Sequence, residues 1–161
     1  MMLLPNKIVL HCSATEDSES KSWEAIRDYH TRVRGWQDIG YHFGIERVDD
    51  NVMVYQGRPF WQRGAHCKAA GRNFDSIGIC VVGKYDEEAP PKEIYQATLE
   101  FLQLLCFLFW IKPEDVYGHR EFEKAKTCPG NMWDLDKLRD DLRRIVPELD
   151  SKAGLILGGF E

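Results

Sequence analysis

Two stretches of the chain offer no polar side to solvent: Ile8-Val9-Leu10, leading into His11-Cys12, and Ile77-Gly78-Ile79-Cys80-Val81-Val82. Unbroken apolar runs of this length predict central strands covered on both faces. Tyr41–Val48 and Val52–Tyr55 flank the turn formers Asp49-Asp50-Asn51 and predict a hairpin, and Val116–His119 predicts a short returning strand. Helical spacing appears in three places. Trp23, Ile26, His30 and Val33 share one face of a helix that Ser22 caps and Gly35 closes. The span Lys92–Ile111 carries a polar stripe of Glu93, Gln96, Glu100 and Gln103 that turns apolar at Phe107 and Trp110. Asp134 caps a last helix built on Leu135, Leu138, Leu142 and Ile145, which stops at Pro147.

These elements predict an α/β fold in a single domain, with a central mixed β-sheet of about five strands and about three main helices. At 161 residues the chain has room for one ordinary core. Residues 1–150 are read as that domain and 151–161 as a glycine-rich tail. A hydrophobic fraction of 43% with 29% charged residues excludes disordered and collagen-like classes. The net charge of −5 argues against nucleic acid as a partner. Five cysteines, an odd number without a CxxC, predict reduced thiols rather than a disulfide framework.

The chemistry gathers near the end of the chain. His119 and Cys128 stand nine residues apart around a charged loop that closes in Pro129-Gly130, with Lys126 two residues before the cysteine. Imidazole nitrogen and thiolate sulfur are the ligands zinc prefers, and three protein ligands leave a fourth position for water. The same pair also fits a buried cysteine beside a structural histidine, so this spacing alone does not decide. At the end of the first strand His11 and Cys12 point to opposite faces, so only one of them serves a given site. His11 is the ligand candidate and Cys12 a core residue. His30, on an apolar helix face, fits a hydrogen-bonded core histidine as well as a substrate contact. Tyr41 and His42 alternate at the hairpin mouth, and Gly64–Asn73 is a glycine-bounded loop of the kind that carries binding residues.

Five blocks then occur in order: His11-Cys12-Ser13-Ala14-Thr15, Gly35-Trp36-Gln37-Asp38-Ile39-Gly40-Tyr41-His42-Phe43, Gly64-Ala65-His66, Ser76–Gly83, and Gly118-His119-Arg120 with Lys126-Thr127-Cys128-Pro129-Gly130. Their set resembles the type 2 N-acetylmuramoyl-L-alanine amidases, the family shared by amidase-type phage lysozymes and peptidoglycan recognition proteins. The resemblance implies a Zn2+ ion held by His11, His119 and Cys128 in a surface cleft. It implies Tyr41 and Lys126 as catalytic residues, and His30, His42, His66 and Asn73 as substrate contacts. The implied reaction is hydrolysis of the amide joining N-acetylmuramic acid to L-alanine, with peptidoglycan as the partner.

The start, Met1–Lys7, lacks a basic segment followed by a long apolar run, so no signal peptide is expected. Synthesis would end in the cytoplasm, with action on the cell wall after release, as for a phage or prophage endolysin. Phe101–Ile111 falls short of the ~20 apolar residues of a membrane span, so stable insertion is not expected. Its greasy end needs a cover, and Leu155-Ile156-Leu157 is favoured over a second copy in a homodimer or a regulatory protein. The alternative function is a non-catalytic protein of the same fold that binds peptidoglycan or regulates another protein; by the resemblance, non-cutting members typically lack the cysteine ligand.

Overall fold

The computed structural model describes residues 4–15 and 22–145. It opens with β1 (Lys7–Cys12), followed by α1 (Trp23–Asp28), which runs on into a wider π turn over Tyr29–Val33. The hairpin is β2 (Phe43–Val48) and β3 (Asn51–Gln56), turned by Asp49-Asp50 with Asp49 at φ 53°. Next come β4 (Ser76–Val81), α2 (Lys92–Phe109), β5 (Val116–Gly118) and α3 (Leu135–Ile145). The sheet has five strands in the order β3-β2-β4-β1-β5. Only β3 is antiparallel to its neighbour. The expected mixed sheet with three main helices is therefore the observed architecture.

Strand alternation sorts the sheet into two faces. Ile8, Leu10 and Cys12 of β1 join Ile77, Ile79 and Val81 of β4 in the larger core cluster, beneath α2 and α3. That packing follows from buried stripes on both helices: Ile94, Thr98, Leu99, Leu102 and Leu105 on α2, and Leu135, Leu138 and Leu142 on α3. Each such aliphatic side chain taken out of water contributes about 1.5–3 kcal/mol. Tyr95 of α2 donates its hydroxyl to Asp141 of α3 at 2.7 Å, joining the two helices. Asp134 accepts the Lys137 N–H at 2.8 Å and starts α3 as an N-cap should. The opposite face holds a smaller cluster of Trp23, Ile39 and Cys80, and it is to this face that His11 points.

Three local departures from the expected pattern have physical causes. Val33 does not face the core but is 70% exposed. The Arg34 N–H bonds the Tyr29 carbonyl five residues back, and the extra residue in that turn rotates Val33 off the apolar stripe. α2 stops two residues before the expected Ile111, because Trp110 takes a left-handed conformation and the Ile111 N–H folds back onto the Cys106 carbonyl. Ile145, the last residue of the α3 stripe, is 38% exposed. Leu104, Phe107, Leu108 and Trp110 stand exposed at the far end of α2, and the segment expected to cover them, Leu155–Leu157, lies outside the described residues. No helix among the described residues is long and apolar enough to cross a membrane.

Candidate metal centre and active site

Adjacent parallel strands bring the first two candidate ligands together. Leu10 of β1 is in register with Gly118 of β5, so the next residues along, His11 and His119, meet with ring centroids 4.6 Å apart. The loop after β5 returns Cys128 to them. The Arg120 N–H binds the Cys128 carbonyl at 2.8 Å, and the Arg120 side chain clasps the carbonyls of Gly130 and Trp133. One donor atom from each of His11, His119 and Cys128 lies within 4.8 Å of the others.

This donor set fits zinc. Two ligands at Zn–N and Zn–S bond lengths, subtending a tetrahedral angle, stand about 3.6 Å apart, and His11 Nδ1 lies 3.6 Å from Cys128 Sγ. Each candidate ligand also has a partner behind it, as metal ligands generally do. His11 Nε2 is 3.0 Å from His66 Nδ1, and the Cys12 N–H points at Cys128 Sγ across 3.4 Å. His119 Nε2 lies 3.2 Å from a Glu123 carboxylate oxygen, close enough to pair in charge but not aligned as a hydrogen bond. Glu123 follows His119 by four residues, a spacing that could have flagged it in the sequence.

Burial gives the two histidines the neutral state that a metal needs, whereas the cysteine must still lose its proton. Desolvation, helped by His66 and His119, holds His11 well below the ordinary imidazole value, so its ring is neutral at neutral pH. His119 is lowered mainly by burial, against the pull of Glu123, and Lys126 adds to the lowering. The Cys128 thiol is pushed up, first by its hydrogen bond with Cys12 and then by burial. Cys12 thus departs from the simple core role expected for it. It is buried in the larger cluster, yet at the strand end its amide reaches Cys128 Sγ, and the Cys128 thiol holds its own below the ordinary value.

Tyr41 borders the same site, its ring centroid 5.2 Å from that of His11. Burial, together with the nearby cysteines, raises its phenol well above the ordinary value, so it remains a protonated donor. Tyr41 also lines a cavity of about 350 Å3, with His30, Tyr29, Ser13, Thr15 and Cys80 around it. His30 accepts the Gly40 N–H on Nδ1 at 3.2 Å and stacks on Trp36, which leaves its Nε2 edge for the cavity. Ser13 and Thr15, which sequence reasoning did not single out, reach the cavity because they follow directly on β1. Lys126 is exposed on the loop before Cys128.

The remaining expected substrate contacts are engaged elsewhere. His42 is fully buried, accepts the Gly78 N–H on Nδ1 at 2.9 Å and bonds the Gln62 carbonyl through Nε2, so neither ring nitrogen is free. Asn73 is 7% exposed, and its Oδ1 accepts the N–H groups of both His66 and Cys67 at 2.8 Å. His66 is 8% exposed and turned towards His11. Burial is the common reason: the loop Gly64–Asn73 folds His66 and Asn73 inward, and His42, directly before β2, is buried against Gly78 of β4 and the Gln62 carbonyl.

The chain is 42% identical over 137 residues to the endolysin of Enterobacteria phage T3, a match covering 81% of this chain and 87% of the phage protein. It is 38% identical over 120 residues to peptidoglycan-recognition protein LB of Drosophila melanogaster, covering 74% of this chain but only 49% of that longer protein. A solved structure of a mutant of the same fly protein in complex with tracheal cytotoxin superposes with a TM-score of 0.66 at 31% identity, over 82% of this chain and 78% of that one. The amidase LysC from Clostridium intestinale URNW superposes with a TM-score of 0.72 at 29% identity, over 87% and 86% of the two chains. Residues 2–131 match the family described as N-acetylmuramoyl-L-alanine amidase, and the chain belongs to that family of peptidoglycan amidases and binders.

Proposed function

We propose that this protein is a zinc-dependent N-acetylmuramoyl-L-alanine amidase that cuts the amide between the lactyl group of muramic acid and L-alanine. The observation that carries the reading is the convergence of His11, His119 and Cys128 beside Tyr41 at the carboxyl ends of β1 and β5. A zinc ion held by those three side chains would polarise the scissile carbonyl and acidify a water at the remaining position.

The chain's own residues divide the rest of the work. Tyr41, kept as a neutral phenol by burial, orients the attacking water or passes a proton on its behalf. Lys126 brings a positive charge to the loop beside Cys128, near enough to act on His119, and stabilises the oxyanion that forms when the carbonyl is attacked. His30 offers a ring edge at the cavity for the glycan or the peptide stem. The muramyl peptide itself is the partner, as tracheal cytotoxin is for the fly recognition protein in its solved complex. Residues 1–150 form the amidase domain, and the protein acts as an endolysin on the cell wall after a membrane lesion made by another protein.

The test is mass-spectrometric analysis of the products from purified peptidoglycan, with wild type and Cys128→Ser each assayed for zinc. Free peptide stems and intact glycan from wild type alone, with about one zinc per chain as a three-ligand site requires, are the expected result. Binding without cleavage by zinc-loaded wild type on several wall types would make the protein a recognition module instead.

A further inference from the structure

We propose that His66 is a positioning residue that acts through His11, selecting which of its two ring nitrogens faces the metal, and does not touch substrate. The inference rests on the metal reading above. His11 uses its two nitrogens in opposite directions: Nδ1 lies 3.6 Å from Cys128 Sγ, and Nε2 lies 3.0 Å from His66 Nδ1. A nitrogen that binds a metal carries no proton, so the proton of neutral His11 sits on Nε2. His66 Nδ1 is then the acceptor, and its own proton sits on Nε2. Without that acceptor, His11 could carry its proton on the metal-facing side or rotate away from it.

The surroundings hold the His66 ring in this one pose. A Cβ on either Gly64 or Gly78 would come within 2.4 Å of His66 Cδ2, so the ring occupies a slot that only two glycines leave open. The backbone of His66 is held by Asn73 Oδ1, and the His42 ring, itself tied to Gly78 and Gln62, stands 5.5 Å away at 74°. His66 Nε2 has less than 1 Å2 of accessible surface and no well-formed hydrogen bond among the described residues. No nitrogen of the ring faces the cleft. The groups expected to read substrate, His42, His66 and Asn73, thus form a buried support for one ligand.

The experiment compares wild type, His66→Leu and His66→Asn, the last of which puts an amide oxygen near the Nδ1 position. Zinc affinity is measured by competition with a chromophoric chelator, and muropeptide affinity is measured on the metal-free proteins. Loss of the partner behind a ligating histidine is expected to weaken zinc binding about 10- to 100-fold in His66→Leu. His66→Asn recovers most of that loss, and metal-free muropeptide affinity stays unchanged in both. Zinc affinity in His66→Leu within about twofold of a zinc-binding wild type would overturn the proposal while leaving the metal site intact. A wild type that binds no zinc would remove the metal reading itself, and this inference with it. Nitrogen-15 spectra of the histidines in zinc-loaded wild type supply a check that needs no variant. They are expected to show His11 and His66 both protonated at Nε2, and a proton on His11 Nδ1 would overturn the proposal.

Discussion

Cys12 and Cys128 meet across 116 residues of sequence: the Cys12 amide points at Cys128 Sγ across 3.4 Å, and each thiol acts on the protonation of the other. The pair therefore resists losing both protons, and Cys128 is the one held up. The neighbouring histidines are already neutral. Zinc binding is thus expected to expel about one proton per metal from the Cys128 thiol, and up to one more from a water at the fourth position as the pH rises through about 7. Calorimetry in two buffers of different protonation enthalpy measures that number directly. A value near zero would mean that Cys128 is already ionised.

A second expectation concerns acid. His11, His42 and His66 are each held below the ordinary value of 6.5, in every case chiefly by burial. Below that pH the unfolded chain takes up protons that the folded chain refuses. Stability present above pH 6.5 is therefore lost as the pH falls towards the folded-state values, by at most about 1.4 kcal/mol per pH unit for each histidine. The melting temperature of the metal-free protein should fall between pH 7 and pH 5, where carboxylates still carry most of their charge. Each kcal/mol corresponds to about 2–4 °C for a chain of this size. A flat or rising melting temperature over that interval would contradict the burial argument.

The contrast between the sheet and the site shows what a sequence can carry. β1 and β4 were readable because a central parallel strand needs apolar side chains on both faces, and Ile8, Leu10, Ile77 and Ile79 supply them. Val33 was not, because a π turn leaves no mark in the spacing of apolar residues. His11 and Cys128 are 117 positions apart and meet only because β1 lies beside β5, a neighbourhood that no local pattern encodes. The ordered motif blocks carried the ligand set where spacing could not. The support behind His11 stayed invisible for a further reason. The path of the Gly64–Asn73 loop decides whether His66 faces the cleft or the ligand, and two left-handed residues within it, Ala70 and Gly71, help set that path.

Trp110 tests the helix terminus. It ends α2 at φ 56°, a conformation that suits glycine, and it is 73% exposed. Trp110→Gly removes the clash of a Cβ with its own backbone and gives up little packing against the described residues. The expected gain is about 1 kcal/mol, or about 2–4 °C in Tm. A loss of stability instead would show that the indole is covered by a contact beyond the described residues.

Tyr41 and Lys126 separate chemistry from metal binding. Neither is among the three donors, so zinc content should be unchanged in Tyr41→Phe and in Lys126→Ala. Phenylalanine keeps the ring that packs 5.2 Å from His11 and deletes only the hydroxyl. If that hydroxyl orients water or moves a proton, kcat falls about 100-fold or more. Lys126 is exposed, so its loss leaves the fold alone and removes a charge near the oxyanion, with an expected drop of about 100- to 1,000-fold. The measurement is the initial rate of stem-peptide release at saturating substrate, with zinc determined on the same samples. Full activity in either zinc-loaded variant would take that residue out of the reaction, and a parallel loss of zinc would reassign it to holding the metal.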